Sequence, residues 1–412
     1  MRIAVFAHEF PAVSETFVLN QVTGLLDAGH DVTVFAQAPR RDGLVHDDFH
    51  RYGLQSRTRY LGIPDRLLLR TTKAPAMMAR MSTQHPERVL QCLNVAKYGR
   101  LSLSGRLLFW SHLLRDEAPF DAILAHFGPV GDLAVQLREA GMIQGPIATV
   151  MHGVDVSVHN DADHVPFSRL FQAGDLFLPI SNNWRLKLQR LGCPAGKIRT
   201  HHMGVDTKRY RFTTRHRTDY GPLRVLSVGR LVEKKGLADA LNAVALAVDK
   251  GLDIKFTIVG DGPLHSALTH LRDALGLSSR VSFAGWRNQE EIVQVMQQAD
   301  ILLAPSITTS TGDQEGIPVT IMEAMASGMI VLSTWHSGIP ELVEDDATGL
   351  LVDEGDVTAL SQALVRLSRD EGDEWARYGA AARDKVEREF DSAKLNRELE
   401  GILADMARPA AA

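Results

Sequence analysis

Short apolar runs separated by helix-period stretches recur along this chain. Each run reads as a strand buried on both faces of a parallel sheet, which leaves little choice of fold. Residues 2–6 (RIAVF) are the first run. Residues 16–28 follow, with Phe17, Val18, Val22, Leu25 and Leu26 at helical spacing and Gly29 as the stop, and residues 31–36 (DVTVFA) are the next strand. A βαβ opening of this kind predicts right-handed crossovers between parallel neighbours. Residues 121–125, 147–151 and 176–180 continue the pattern. After a polar, basic stretch at 207–220 it starts again, with strands at 223–228, 254–259, 281–284, 301–305 and 330–333 and a helix at 237–248. The expectation is an α/β protein of two doubly wound halves with a boundary near 207–222, whose ligands bind beyond the carboxyl ends of the strands. Residues 375–406 read as helical, with Asp391 or Ser392 capping a last helix, and the tail PAAA reads as frayed.

A length of 412 residues with 45% hydrophobic content accommodates two cores. The net charge of −5 excludes a nucleic-acid binder driven by overall electrostatics. Cys92 and Cys193 have no metal-type spacing and imply no disulfide framework, which fits a reducing compartment. The first apolar run is too short for a signal peptide, and no stretch approaches the ~20 apolar residues of a spanning helix. A cytoplasmic protein is expected.

The most informative string is residues 313–328 (DQEGIPVTIMEAMASG). On one continuous helix Glu315 and Glu323 would stand roughly 12 Å apart, too far to share a small ligand atom. Proline is favoured at the first helical position, so Pro318 is expected to open a helix that carries Glu323 and leaves Glu315 in the preceding loop. The free amides of Val319, Thr320 and Ile321 then form an anion site for a diphosphate, aided by the helix dipole. Carboxylates on either side of it suit sugar hydroxyls, because an ionised carboxylate only accepts hydrogen bonds.

In residues 226–236 (LSVGRLVEKKG) a strand ends at Gly229, and Arg230 and Lys235 flank a short loop before a helix. A guanidinium fork and an ammonium point charge are the pair that neutralises a leaving diphosphate. Surface ion pairs with Glu233 fit this string equally well, and Lys234 is expected to face solvent. Residues 149–155 (TVMHGVD) place His152 at a strand end beside Gly153, where Asp155 could orient the ring or bind a sugar hydroxyl; AHFG at 125–128 has a similar form and reads as structural. Trp286 and Arg287 follow a strand and could stack on or edge-bind a base. The acid-x-acid spacing of Asp161 and Asp163 falls in a polar loop and reads as chance, so no metal site is expected.

Residues 57–115 carry eleven Lys/Arg against Asp65 and Glu87, a local +9. Interleaved apolar residues at 65–70 and 101–114 make amphipathic basic segments, which fit contact with an anionic membrane surface or a solvated helical face.

With these strings in hand, the chain resembles glycosyltransferase family 4, of GT-B architecture. The likeness is strongest at 225–236 and at 305–356, where Glu315 and Glu323 match the E-x7-E motif. FPAVSETFVLNQ (10–21), AHFG, HGVD (152–155) and GDQEGIPVTIMEAMASG (312–328) resemble enzymes that build colanic-acid- and amylovoran-type exopolysaccharides. The resemblance implies two Rossmann-like domains facing a cleft: an acceptor domain over 1–206 plus 391–412, whose last helix crosses back, and a nucleotide-sugar donor domain over 207–390. It implies that Glu323 binds the ribose, while Glu315 and the backbone of Gly316, Ile317, Pro318, Val319 and Thr320 hold the donor sugar. Arg230 and Lys235 would take the diphosphate, and His152 would face the sugar near the reacting carbon. Transfer with retention, no cofactor and no catalytic metal are also implied, with a saccharide or lipid-linked acceptor. Two departures stand out: His8–Glu15 replaces the family's Gly-Gly loop, and Pro318 stands where many members have glycine. A GT-B nucleotide-sugar epimerase and a non-catalytic sugar-nucleotide-binding scaffold are the other readings of the same site.

Overall fold

The computed structural model describes residues 1–12, 15–39, 47–63, 67–157, 167–217, 221–369 and 373–408. The apolar runs build two sheets. The first holds β1 (Arg2–Glu9), β2 (Asp31–Ala38), β3 (Thr58–Tyr60), β4 (Ala122–His126), β5 (Ile147–Met151) and β6 (Leu176–Pro179), in the order β3-β2-β1-β4-β5-β6. The second holds β7 (Leu223–Val228), β8 (Ile254–Val259), β9 (Val281–Gly285), β10 (Ile301–Ala304), β11 (Ile330–Thr334) and β12 (Leu350–Val352), in the order β12-β11-β10-β7-β8-β9. All neighbouring strands are parallel. Strands β4, β5 and β11 are buried along their whole length, as strands covered on both faces must be. Each sheet starts in its middle and later reverses direction, so a crevice opens at the reversal, between β1 and β4 in one half and between β7 and β10 in the other. The edge strands β3 and β12 were not anticipated, because three residues are too few to make an apolar run.

The chain crosses between the halves twice, side by side. Val205 N donates to Phe390 O (2.9 Å), Ser392 N to Val205 O (2.9 Å), and Thr207 Oγ1 to Asp391 Oδ2 (2.6 Å). The approach is so close that a Cβ on Gly204 would lie 2.8 Å from Ser392 Cα. Asp391 caps the last helix, Ser392–Ala407, by accepting from Lys394 N at 3.1 Å. This helix returns to the first half: Leu399, Ile402 and Leu403 enter its core, and Asn396 Nδ2 donates to Asn20 O at 3.1 Å.

The basic stretch forms a helical insertion between β3 and β4: Leu67–Gln84, Pro86–Cys92, Val95–Tyr98, Arg100–Leu103 and Arg106–Leu113. In the sequence, residues 101–114 read as an amphipathic basic segment, fitting either membrane contact or a solvated helical face. Instead Leu107, Leu108, Phe109 and Trp110 are buried, and Trp110 Nε1 donates to Leu61 O (3.1 Å), because this helix lies beneath the others against the domain core. Among the described residues of the insertion, the exposed large aliphatic side chains are Leu90 (71%), Leu93, Val95, Leu103 (69%) and Leu113. Ser102 Oγ donates to Asn94 O at 3.3 Å, which brings Leu103 beside Leu93 and Val95. Part of the positive charge is used internally: Arg59 pairs with Glu117, and buried Arg70 donates to Ser104 O at 3.0 Å. Asp65 and Arg66 of the 65–70 segment, the Asp161–Asp163 loop, Ser14 and the PAAA tail lie outside the described residues.

Candidate active site

At the switch point of the second sheet, β7 runs into Gly229 and Arg230. A single cleft there is lined by Gly229, Arg230, Lys235, Ser306, Pro318 and Thr320, so the two cations and the helix start predicted from separate strings meet. The Lys235 stem lies over Gly229, where a Cβ would come 3.1 Å from Lys235 Cε. Helix Val319–Ser327 begins one residue later than expected. Pro318 is its N-cap, with ψ of 122°, and not its first helical residue. The extended ψ turns the Pro318 carbonyl back to accept from Ile321 N at 3.1 Å, which removes Ile321 from the expected trio of free amides. The amides of Val319 and Thr320 have no partner among the described residues, so two of the three expected free amides remain at the helix start.

Glu315 lies in the loop before this helix. Lys235 Nζ is 3.3 Å and Lys234 Nζ 3.9 Å from its Oε1. Lys234, expected in solvent, is only 8% exposed and donates to Asp313 Oδ1 (3.2 Å) and Gln314 O (3.4 Å). Two acids on one part-buried loop require an internal cation, and Lys234 supplies it. Burial alone would push the Glu315 carboxyl up, but the two ammonium groups outweigh it and hold the group below the usual carboxylate range. Glu315 N also donates to His336 Nε2 at 3.0 Å.

Glu323 sits one turn into the helix and is 8% exposed. The hydroxyl of buried Tyr210 donates to its Oε1 at 2.6 Å. Burial raises this carboxyl to about 7, against the opposing effects of the Tyr210 bond and the Arg209 charge. One acid of the motif is thus held ionised and the other is poised.

In the first half, AHFG and HGVD form one unit. His152 Nε2 is 3.0 Å from His126 Nδ1, and its ring packs between Phe17 and Phe127, with centroids at 4.5 and 4.4 Å. Burial lowers both imidazoles, His126 to about 3 and His152 well below its ordinary value, with His126 adding to the latter. Both rings are therefore neutral; His126 Nε2 is buried with no hydrogen-bond partner among the described residues, and His152 keeps its Nδ1 edge for a further partner. Asp155 does not serve as a sugar ligand. It is 6% exposed, its Oδ1 accepts from His152 N (3.1 Å) and Gly153 N (2.8 Å), and its Oδ2 accepts from Gly128 N (2.8 Å). Three free amides at two strand ends need an acceptor, and this carboxylate ties both loops together.

The halves touch where the motifs face each other. Gly316 packs on the HGVD loop so closely that a Cβ would lie 2.9 Å from His152 O and 2.5 Å from Ile180 Cδ1. Ser157 Oγ donates to Asp313 Oδ1 (3.2 Å), and Glu341 accepts from Asn182 N (2.9 Å), Asn183 N (3.0 Å) and His202 Nε2 (3.1 Å). Trp286 and Arg287 are not part of this constellation. Trp286 stands 47% exposed after the edge strand β9, Arg287 pairs with Glu291 at 3.5 Å, and neither lines the cleft. Tyr210, His336 and Lys234 escaped the sequence reading. Each acts through a tertiary contact, and only the departure of Tyr210 from an otherwise polar, basic stretch offered a signal.

Two Rossmann-like halves, a closing last helix, and a cationic helix-start cleft facing a neutral histidine define a GT-B glycosyltransferase. Residues 14–209 match the family described as Glycosyltransferase Family 4, and residues 210–385 match Glycosyl transferases group 1. The chain is 40% identical to the colanic acid biosynthesis glycosyltransferase WcaL of Escherichia coli, covering 98% of this chain and 99% of that one. It is likewise 40% identical to the amylovoran biosynthesis glycosyltransferase AmsK of Erwinia amylovora, over 99% and 100%. The chain belongs to this family of glycosyltransferases. Its fold is similar to that of Anabaena HepE, solved with UDP and glucose (TM-score 0.70, 17% identity, 98% and 99% covered). It is also similar to that of WaaG, a glycosyltransferase involved in lipopolysaccharide biosynthesis (TM-score 0.66, 15% identity, 97% and 99% covered).

Proposed function

We propose that this chain is a retaining, metal-independent hexosyltransferase that moves a sugar from a nucleotide-diphosphate donor to a growing lipid-linked saccharide during exopolysaccharide assembly. The observation that carries the reading is the single cleft shared by Arg230, Lys235 and the start of helix Val319–Ser327, with Glu315 3.3 Å from Lys235. When the sugar–phosphate bond breaks, negative charge grows on the departing diphosphate. A guanidinium fork, an ammonium and free helix amides aimed at that charge lower the barrier, because they are already oriented. Glu315 accepts from donor-sugar hydroxyls and Glu323 from the ribose, while His152 meets the sugar from the opposite wall. The names of WcaL and AmsK support an exopolysaccharide pathway, and the UDP and glucose bound by HepE support a nucleotide-sugar donor. Retention rests on the family resemblance.

A lipid-linked acceptor calls for a membrane-facing surface on the first half. No helix among the described residues is long and apolar enough to cross a membrane. The exposed Leu90, Leu93, Val95 and Leu103, with exposed Lys97 and Arg106, suit shallow contact with anionic lipid at the cytoplasmic face.

The test is incubation with UDP-glucose, UDP-galactose, GDP-mannose and GDP-fucose, with and without a lipid-linked saccharide extract, followed by product analysis. Acceptor-dependent release of nucleoside diphosphate, with the donor's anomeric configuration kept, is expected. Interconversion of free donor without acceptor would identify an epimerase, and binding without turnover a scaffold.

A further inference from the structure

Outside the E-x7-E string, a fully buried histidine closes the neck of the donor loop. Residues 308–315 form that loop, and its two ends are clasped by the same pair of side chains. At one end Thr308 donates to Glu354 from its N (2.6 Å) and from its Oγ1 (3.2 Å). At the other end Glu315 N donates to His336 Nε2 (3.0 Å), and His336 Nδ1 lies 2.6 Å from Glu354 Oε1. His336 lies two residues beyond the end of β11 and Glu354 two beyond the end of β12, so neither belongs to the loop they hold.

The geometry assigns the ring's tautomer. A backbone N–H can only donate, so Nε2 must carry the lone pair; the proton is then on Nδ1 and is donated to the Glu354 carboxylate. A ring flip would put carbons where the two nitrogens sit, leaving the Glu315 N–H without an acceptor and the Glu354 carboxylate without this donor. We propose that His336, locked as the Nδ1–H tautomer by Glu354, is a positioning residue of the donor site that fixes the backbone of Glu315 and so aims its carboxylate at the donor sugar. His336 itself does not touch the donor. Its effect is on sugar recognition, because the loop amide it holds belongs to the residue that grips the sugar, while the backbone of Lys235 is anchored apart from this loop, on Val232 O. The inference rests on the reading of Glu315 as the donor-sugar ligand.

Asparagine and glutamine separate the two ring nitrogens. In His336→Asn an amide near the Nδ1 place can still donate to Glu354, but nothing reaches Glu315 N. In His336→Gln the amide oxygen reaches the Nε2 place and can accept from it. The measurement is the affinity ratio between nucleotide sugar and its nucleoside diphosphate, by calorimetry, using UDP-glucose, UDP-galactose, GDP-mannose and GDP-fucose with UDP and GDP. For the pair with the largest ratio, Asn should cut the sugar-dependent gain about 3–10-fold while Gln keeps most of it. Equal loss in both variants, or none in Asn, overturns the role of His336. Glu315→Gln is the control: if it leaves the ratio unchanged, or if the wild type shows no such gain, the donor-site reading itself fails. Should the Asn variant not fold, nitrogen-15 NMR of ring-labelled wild-type protein decides. The His336 signals, assigned by their loss in His336→Gln, should show a protonated Nδ1 and a bare Nε2; the opposite tautomer overturns the inference.

Discussion

The Tyr210 hydroxyl donates to Glu323 Oε1 at 2.6 Å, so a residue from the segment joining the two halves holds the buried acid of the donor motif. Gln289 Nε2 reaches the same hydroxyl at 3.5 Å and steadies it from the helix Gln289–Gln298. One carboxylate oxygen is thereby committed, and the other is the one that the proposed donor's ribose would meet. Tyr210→Phe should keep the fold and weaken nucleoside diphosphate binding about 3–10-fold, measured by calorimetry. Unchanged affinity would separate Tyr210 from the site.

The raised Glu323 carboxyl gives donor binding a pH dependence. Below about 7 the group is largely protonated in the folded protein, and above it the carboxylate is available to accept from ribose hydroxyls. Affinity for nucleoside diphosphate should therefore rise with pH through about 7, and Glu323→Gln should flatten that profile. The stability sign is opposite. Because the folded value lies above the unfolded one of about 4.5, the stabilising contribution is fully present below 4.5 and is lost as pH rises through 7, by about 3 kcal/mol at most. Thermal unfolding of wild type against Glu323→Gln between pH 4 and 8 checks it.

Gly316 has no room for a side chain only because the other half lies against it. A Cβ there would meet Ile180 Cδ1 and His152 O, both from the other half, and the Gly316 backbone is not in the left-handed region. Gly316→Ala should leave nucleotide binding and unfolding temperature nearly unchanged while reducing transfer by up to ~100-fold, through misplacement of the facing loops. Loss of the fold would place the glycine's role in the domain core.

Asp155 binds three backbone amides from two loops, so its removal acts on stability. Asp155→Ala leaves those amides without their acceptor and should cost on the order of 3 kcal/mol, read from denaturant unfolding. A stable variant that loses only sugar affinity would restore Asp155 as a ligand.

The sequence carried the strands and the donor motif further than it carried their supports. Buried parallel strands such as β4, β5 and β11 announce themselves because every residue but His126 is apolar or small, whereas β3 and β12 occupy three residues each at sheet edges. Glu315, Glu323, Arg230 and Lys235 could be named because turn residues beside them, Gly229 and Pro318, reveal where the chain must bend. Lys234, Tyr210, Asp155 and His336 owe their roles to partners between 2 and 113 positions away. Local spacing cannot distinguish such a lysine from one in solvent, or a carboxylate that binds amides from one that binds sugar. The helix start shows the finer limit: proline marks it, but whether that proline is the cap or the first helical residue depends on its ψ.

The decisive measurement is acceptor-dependent release of nucleoside diphosphate by Lys235→Ala beside wild type, with unfolding temperatures recorded on the same samples. Lys235 reaches the cleft from a loop and is partly exposed, so the variant should stay folded. Removing a pre-oriented charge from the departing diphosphate should lower turnover by ~100-fold or more. A folded Lys235→Ala protein that transfers sugar at close to the wild-type rate would contradict the assignment of this cleft as the donor site.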